Sequence, residues 1–257
     1  MDAEPSLPPP PVSPDTRFGV ILRVAFFVAT VLLGLTVFSA ALLAAFGPII
    51  ASICGLLATG LLANWLTMRI FDRRPLLQIG LEGGRASVHN FILGMVLAAI
   101  TAALMLAAPL IAGGGHLAPR AHANVSLPSV AFYFLLLFLG AAGEEMIFRG
   151  YAFQLLVDKL GPFAAVLPVA VIFGLAHSSN PHASALGIVN TIIWGIVLGY
   201  AFLRSRDLWF PIGLHYGWNF VLPLFGVNLS GLTIDVTRYT YRWDLSPLWS
   251  GGAYGPE

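Results

Sequence analysis

Three short stretches of this 257-residue chain carry side chains able to do chemistry. "EEMIFR" (144–149) sets Glu144 beside Glu145, with Arg149 four residues after the second. "FGLAH" (173–177) spaces Phe173 and His177 four apart, and "HYGWN" (215–219) does the same for His215 and Asn219. A spacing of four puts both members of a pair on one helical face. A carboxylate with two imidazoles is equipment for activating water. Glu144 or Glu145 would take a proton from a water held by His177, while His215 and Asn219 donate hydrogen bonds to the oxyanion of a tetrahedral intermediate. The alternative is a metal site: two histidines and a carboxylate form a catalytic zinc set, with Glu144, His177 and His215 as candidate ligands. The spacing is not His-Glu-x-x-His, so no cofactor is certain and zinc stays an open alternative. Arg149 is the expected counter-charge, because two adjacent carboxylates repel and a guanidinium favours their ionised form. Ser178, Ser179 and Ser184 lack a Gly-x-Ser-x-Gly turn and a buried Asp partner, and the single cysteine, Cys54, sits in an apolar run as a packing residue.

The surroundings of these residues make them conspicuous. The chain is 58% hydrophobic and 10% charged, against about 25% charged in soluble domains. Residues 24–68, 86–119, 121–143, 160–203 and 208–234 contain no Asp, Glu, Lys or Arg, and a spanning helix needs about 20 such residues. Breaks at "FGP", "GGG", "LGP", "SSNPH" and "SRD" divide the runs into predicted helices over 18–46, 48–68, 89–112, 128–157, 162–178, 183–203 and 209–226, with tilted or broken helices, or a separate interfacial helix over 150–160, as the alternatives that would bring His177 and His215 to one depth. Backbone groups in lipid must be satisfied within a segment, and the runs are too uniformly apolar for barrel strands. The expected fold is therefore all-α, a polytopic transmembrane bundle of about seven to eight helices. Polar groups on three of those helices would be unsatisfied against lipid, so they must turn inward, toward one cavity. Asn190 and Trp194 share a face of the sixth helix and are weighed as packing residues rather than lining.

Expected domains are a disordered Pro-rich tail over 1–17, a transmembrane domain over 18–226 whose motif-bearing core is 128–226, and an aromatic interfacial tail over 227–257 without a catalytic role. With the N-terminus inside, nine Lys or Arg residues (Arg17, Arg23, Arg69, Arg73, Arg74, Arg85, Lys159, Arg204 and Arg206) fall on the cytoplasmic side and three (Arg120, Arg238 and Arg242) outside. That bias predicts a cell-membrane protein with its N-terminus in and its C-terminus out. A net charge of +1 without a basic tract argues against nucleic-acid binding. His89 and His116 belong near helix ends, and His122 and His182 in loops.

Taken in order on successive hydrophobic helices, Glu-Glu-x-x-x-Arg, Phe-x-x-x-His and His-x-x-x-Asn resemble the CAAX prenyl endopeptidase type II and bacteriocin-processing family of intramembrane proteases, also called CPBP or Abi proteins. The resemblance covers residues 128–226. It implies an endopeptidase in which Glu144 activates water with help from His177, and His215 and Asn219 stabilise the oxyanion or belong to a metal site. It also implies a peptide or protein substrate, lipidated or membrane-anchored, met at the bilayer. The competing expectation is a membrane transporter or immunity protein that uses the same polar set without catalysis.

Overall fold

The computed structural model describes residues 16–120 and 125–257. The predicted tail thus falls outside the described residues except for its last two positions, and His122 lies outside them too. The rest is a helical bundle.

Helix α1 (Arg17–Thr67) starts at Thr16, whose hydroxyl accepts the Gly19 N–H, and breaks at Gly47, which has φ 74° and ψ 172° ahead of Pro48. Glycine takes that backbone without strain, and proline cannot continue the preceding hydrogen-bond ladder. The chain reverses there. A Cβ at Gly34 would stand 2.9 Å from Thr59, and one at Gly55 would stand 2.7 Å from Ser39. Those pairings identify the two arms as antiparallel, and the arms match the helices expected over 18–46 and 48–68. A π-helical turn (Met68–Asp72) and a short 3₁₀ helix (Leu76–Ile79) lead to α2 (Arg85–Ala112).

Helix α3 (Leu127–Arg149) ends at Gly150, and α4 (Tyr151–Leu160) begins one residue later. The single helix expected over 128–157 is therefore corrected to two. The cause is Asn64 on α1, which is fully buried. Its Nδ2 donates to the carbonyls of Gly60 at 2.7 Å and Met146 at 2.8 Å, and its Oδ1 accepts the Tyr151 N–H at 2.8 Å. A side chain at Gly150 would collide with Asn64 and with the Met146 carbonyl. One amide thus satisfies backbone groups that the break would otherwise leave bare in an apolar interior.

Helices α5 (Pro162–Ala176), α6 (Ala185–Ser205) and α7 (Trp209–Leu224) follow across short connections. Helix α7 shows how sequence assigns faces. Gly213 and Gly217 lie against the backbones of Phe91 and Met95 on α2, with no room for a Cβ. His215 and Asn219, two positions on from each glycine and so about 200° round the helix, face the other way. Strands β1 (Gly115–Pro119) and β2 (Tyr239–Trp243) pair antiparallel, Leu117 opposite Tyr241, in a small ribbon that the sequence reading did not anticipate. Tyr241 is buried and donates its hydroxyl to the Leu106 carbonyl at 2.9 Å.

Four stretches, Arg17–Asp72, Arg85–Ala112, Leu127–Leu160 and Ala185–Ser205, are long and apolar enough to cross a membrane. Large apolar residues such as Leu32, Leu33, Leu104, Phe163 and Ile172 stay exposed on the outside of the bundle, which suits contact with lipid. The protein is a multi-pass membrane protein. Polar ties gather at its two ends. One end holds Arg23 with Asp72 at 2.8 Å and Asn90 with Asp207 at 3.0 Å; the other holds His116 with Asp244 at 2.9 Å and the Arg120–Asp235 pair.

Candidate functional site

The adjacent glutamates of α3 point about 100° apart and meet different surroundings. Glu145 is fully buried. Its Oε1 accepts from Arg149 at 3.2 Å, one helical turn away, and from Nδ1 of His215 at 2.9 Å. Arg149 is buried as well. It donates to the Gly195 carbonyl at 2.9 Å and lies 4.6 Å from the centroid of the Phe173 ring. The expected counter-charge thus makes its hydrogen bond to Glu145 and not to Glu144. Phe173 fills the centre of the group, with its ring 4.8 Å from that of His177 and 6.2 Å from that of His215. Phe148 backs it edge-on at 5.0 Å.

His177 caps the C-terminus of α5. Its Nδ1 lies 2.8 Å from the Phe173 carbonyl, which can only accept, so Nδ1 carries a proton and, in the neutral ring, Nε2 is the nitrogen with the lone pair. That Nε2 stands 3.7 Å from Oε2 of Glu144, and Nε2 of His215 stands 3.9 Å from the same oxygen. Both imidazoles are therefore held from behind, one by a carbonyl and one by a carboxylate, and both turn Nε2 toward Glu144. The Glu144 side chain is 23% exposed, against 13% for His177 and 12% for His215. Its Oε2 has no hydrogen-bond partner among the described residues.

Glu144, Phe173, His177, His215 and Asn219 line one cavity of about 390 Å³. The structure therefore gathers the three motifs, with Glu145 and Arg149 directly behind the lining. Apolar walls come from Ile49, Ile53 and Leu56 on the second arm of α1, from Leu136 and Leu137 on α3, and from Leu229, Leu232 and Ile234. Trp194 also lines the cavity, against the packing role weighed for it, and its ring lies 4.7 Å from that of Trp218. Asn180, Ser230, Thr233 and Glu257 add polar groups to the lining, as do Ser52, Tyr133 and Thr191, and sequence reasoning missed all seven. Only the Asn180 position carried a signal, three residues beyond His177.

Among the described residues, no group of three or more His, Cys, Asp or Glu side chains is close enough to enclose a metal ion as it stands. The arrangement offers a carboxylate oxygen facing two oriented imidazoles across a gap too long for direct hydrogen bonds and suited to one bridging water.

Comparison with known proteins bears on the same stretch. Residues 126–221 match the family described as "Type II CAAX prenyl endopeptidase Rce1-like", nearly the span over which the three motifs suggested it. A protein of Bacillus subtilis (strain 168) named "Putative membrane peptidase YdiL" is 31% identical over 81 residues, which cover 32% of this chain and 31% of that protein. The chain thus matches about a third of that relative's length. No solved structure gives a significant match.

Proposed function

Starting from residues 126–221 as a segment of the type II CAAX prenyl endopeptidase Rce1-like family, we propose that the protein is a membrane-embedded endopeptidase acting on a membrane-associated peptide. The observation that carries this reading is the convergence of both Nε2 atoms on Oε2 of Glu144, at 3.7 and 3.9 Å. A water between Glu144 and His177 would lie within hydrogen-bond reach of both. Glu144 takes its proton as the water oxygen attacks the carbonyl carbon of the scissile bond, while His177 orients the water by accepting at Nε2. Asn219 donates its amide to the resulting oxyanion. His215, held through Nδ1 by Glu145, donates its Nε2–H to the same oxygen as the imidazolium. Among these four side chains charge then balances, Glu144 and Glu145 against Arg149 and His215. Collapse of the intermediate breaks the C–N bond, and Glu144 returns its proton to the leaving amine.

Glu144→Gln tests this directly. The variant should retain its fold and lose about 10²–10⁴-fold in kcat. Peptide cleavage in liposomes at the wild-type rate would remove the glutamate-base mechanism, and no cleavage by the wild type on any peptide would return the non-catalytic transporter or immunity reading. Zinc-dependent hydrolysis is the second reading on the same residues, and metal analysis with activity after chelation separates the two. We further propose the orientation with the N-terminus inside, supported by the nine-to-three distribution of Lys and Arg.

A further inference from the structure

Residues 247–257 lie outside the matched stretch and outside the long apolar helices, yet they bring one side chain to the cavity wall. Tyr254 is fully buried. Its ring occupies the space a side chain at Gly187 on α6 would need, and its carbonyl accepts the Gly231 N–H at 2.7 Å. Asn228 donates to the Ala253 carbonyl at 2.9 Å. Held this way, the segment delivers Glu257 to the cavity that contains Glu144, His177 and His215. The carboxylate is 7% exposed. Ser230 donates to one of its oxygens, and the other has no hydrogen-bond partner.

Among the described residues, no lysine or arginine lines that cavity. Its two imidazoles are committed through Nδ1, His177 to the Phe173 carbonyl and His215 to Glu145, and any charge they carry offsets the Glu257 carboxylate only in part. A buried carboxylate oxygen without a protein partner is costly unless a ligand completes it. The rings of Trp194 and Trp218 line the same cavity, and aromatic faces together with a carboxylate are the chemistry of a cation site. We propose that Glu257 forms a specificity subsite that receives a lysine or arginine side chain of the peptide substrate. The subsite rests on the endopeptidase reading for its substrate, but not for its charge preference.

Two measurements keep these apart. In liposomes, the full-length protein is given peptide pairs that differ only by lysine or norleucine at successive positions around the scissile bond. The wild type should prefer the lysine peptide at one position by about tenfold in kcat/KM, mostly through KM. Glu257→Gln should erase that ratio, Glu257→Asp should restore much of it, and Glu257→Lys should invert it toward a glutamate peptide. The same peptides are titrated against the Glu144→Gln variant with tryptophan fluorescence as the readout, which needs no turnover. If nothing is cleaved but lysine peptides bind more tightly and the added Glu257→Gln change removes that advantage, the endopeptidase reading falls and the subsite stands. The subsite is overturned if the lysine ratio survives Glu257→Gln. It is equally overturned if Glu257→Gln changes both peptides alike, downward as for a proton donor or upward as for a plug in the cavity.

Discussion

At the scale of single residues, neighbours in sequence receive opposite tasks. Glu144 faces the cavity with a bare oxygen, whereas Glu145 is sealed between Arg149 and His215. Arg149→Met would strand the Glu145 charge in the interior, at a cost of about 3–5 kcal/mol, seen as a fall in thermal unfolding temperature in detergent. Adding Glu145→Leu should recover most of that stability, since an apolar pair can replace a buried ion pair. It should not recover activity, because His215 would lose the acceptor that orients it. Asn219→Ala leaves that network alone and should lower kcat by about 10²–10³-fold, as removal of an oxyanion donor does. The pairing of Glu145 with Arg149 was legible from the four-residue spacing. Which glutamate faces the cavity was not, because a step of 100° on one helix has no meaning until the neighbouring helices are in place.

Among the elements, the α3–α4 break depends on Asn64. Asn64→Leu removes the acceptor for the Tyr151 N–H and the donor to two carbonyls, an expected loss of about 3 kcal/mol measurable by thermal unfolding. The helices themselves were readable because charge-free runs of membrane length mark them. The break was legible only as an alternative, a separate helix over 150–160, since "RGY" interrupts no apolar run and its cause lies about 87 residues away in the chain. The docked segment 247–257 was hidden for the same reason: Tyr254 fits against Gly187 and Gly231, which lie far from it in sequence. Its stability should follow pH. Burial holds the Glu257 carboxyl above the usual carboxylate value, and Ser230, His177 and His215 oppose that shift only in part. A raised value means the docked state binds the proton more tightly, so the docking contribution is full at acidic pH and is lost as pH rises through the raised value. Hydrogen exchange of the Gly231 amide should therefore quicken with pH beyond its intrinsic rate, and Glu257→Gln should flatten the excess.

For the whole molecule, the proposed orientation puts Arg74 inside and Arg242 outside. With Cys54 replaced by alanine, a cysteine at position 242 should react with a membrane-impermeant maleimide in intact cells, and one at 74 only after permeabilisation. The reverse result would invert the topology. The sequence carried the bundle and this end-to-end charge asymmetry because both follow from lipid acting as a solvent; the β1–β2 ribbon, held together across more than a hundred residues, left no local trace. The cavity has one more consequence. Every side chain assigned a chemical step lies within 126–221, while Ile49, Ile53, Leu229, Ser230, Ile234 and Glu257, which shape the walls, lie outside it. On the proposed reading, the chemical steps stay within the matched stretch, whereas selectivity is shared between its own wall residues, Trp194 and Trp218 among them, and the flanking ones. Exchanging residues 48–60 and 227–257 with those of a relative should therefore shift which peptides are chosen while leaving the cutting machinery intact.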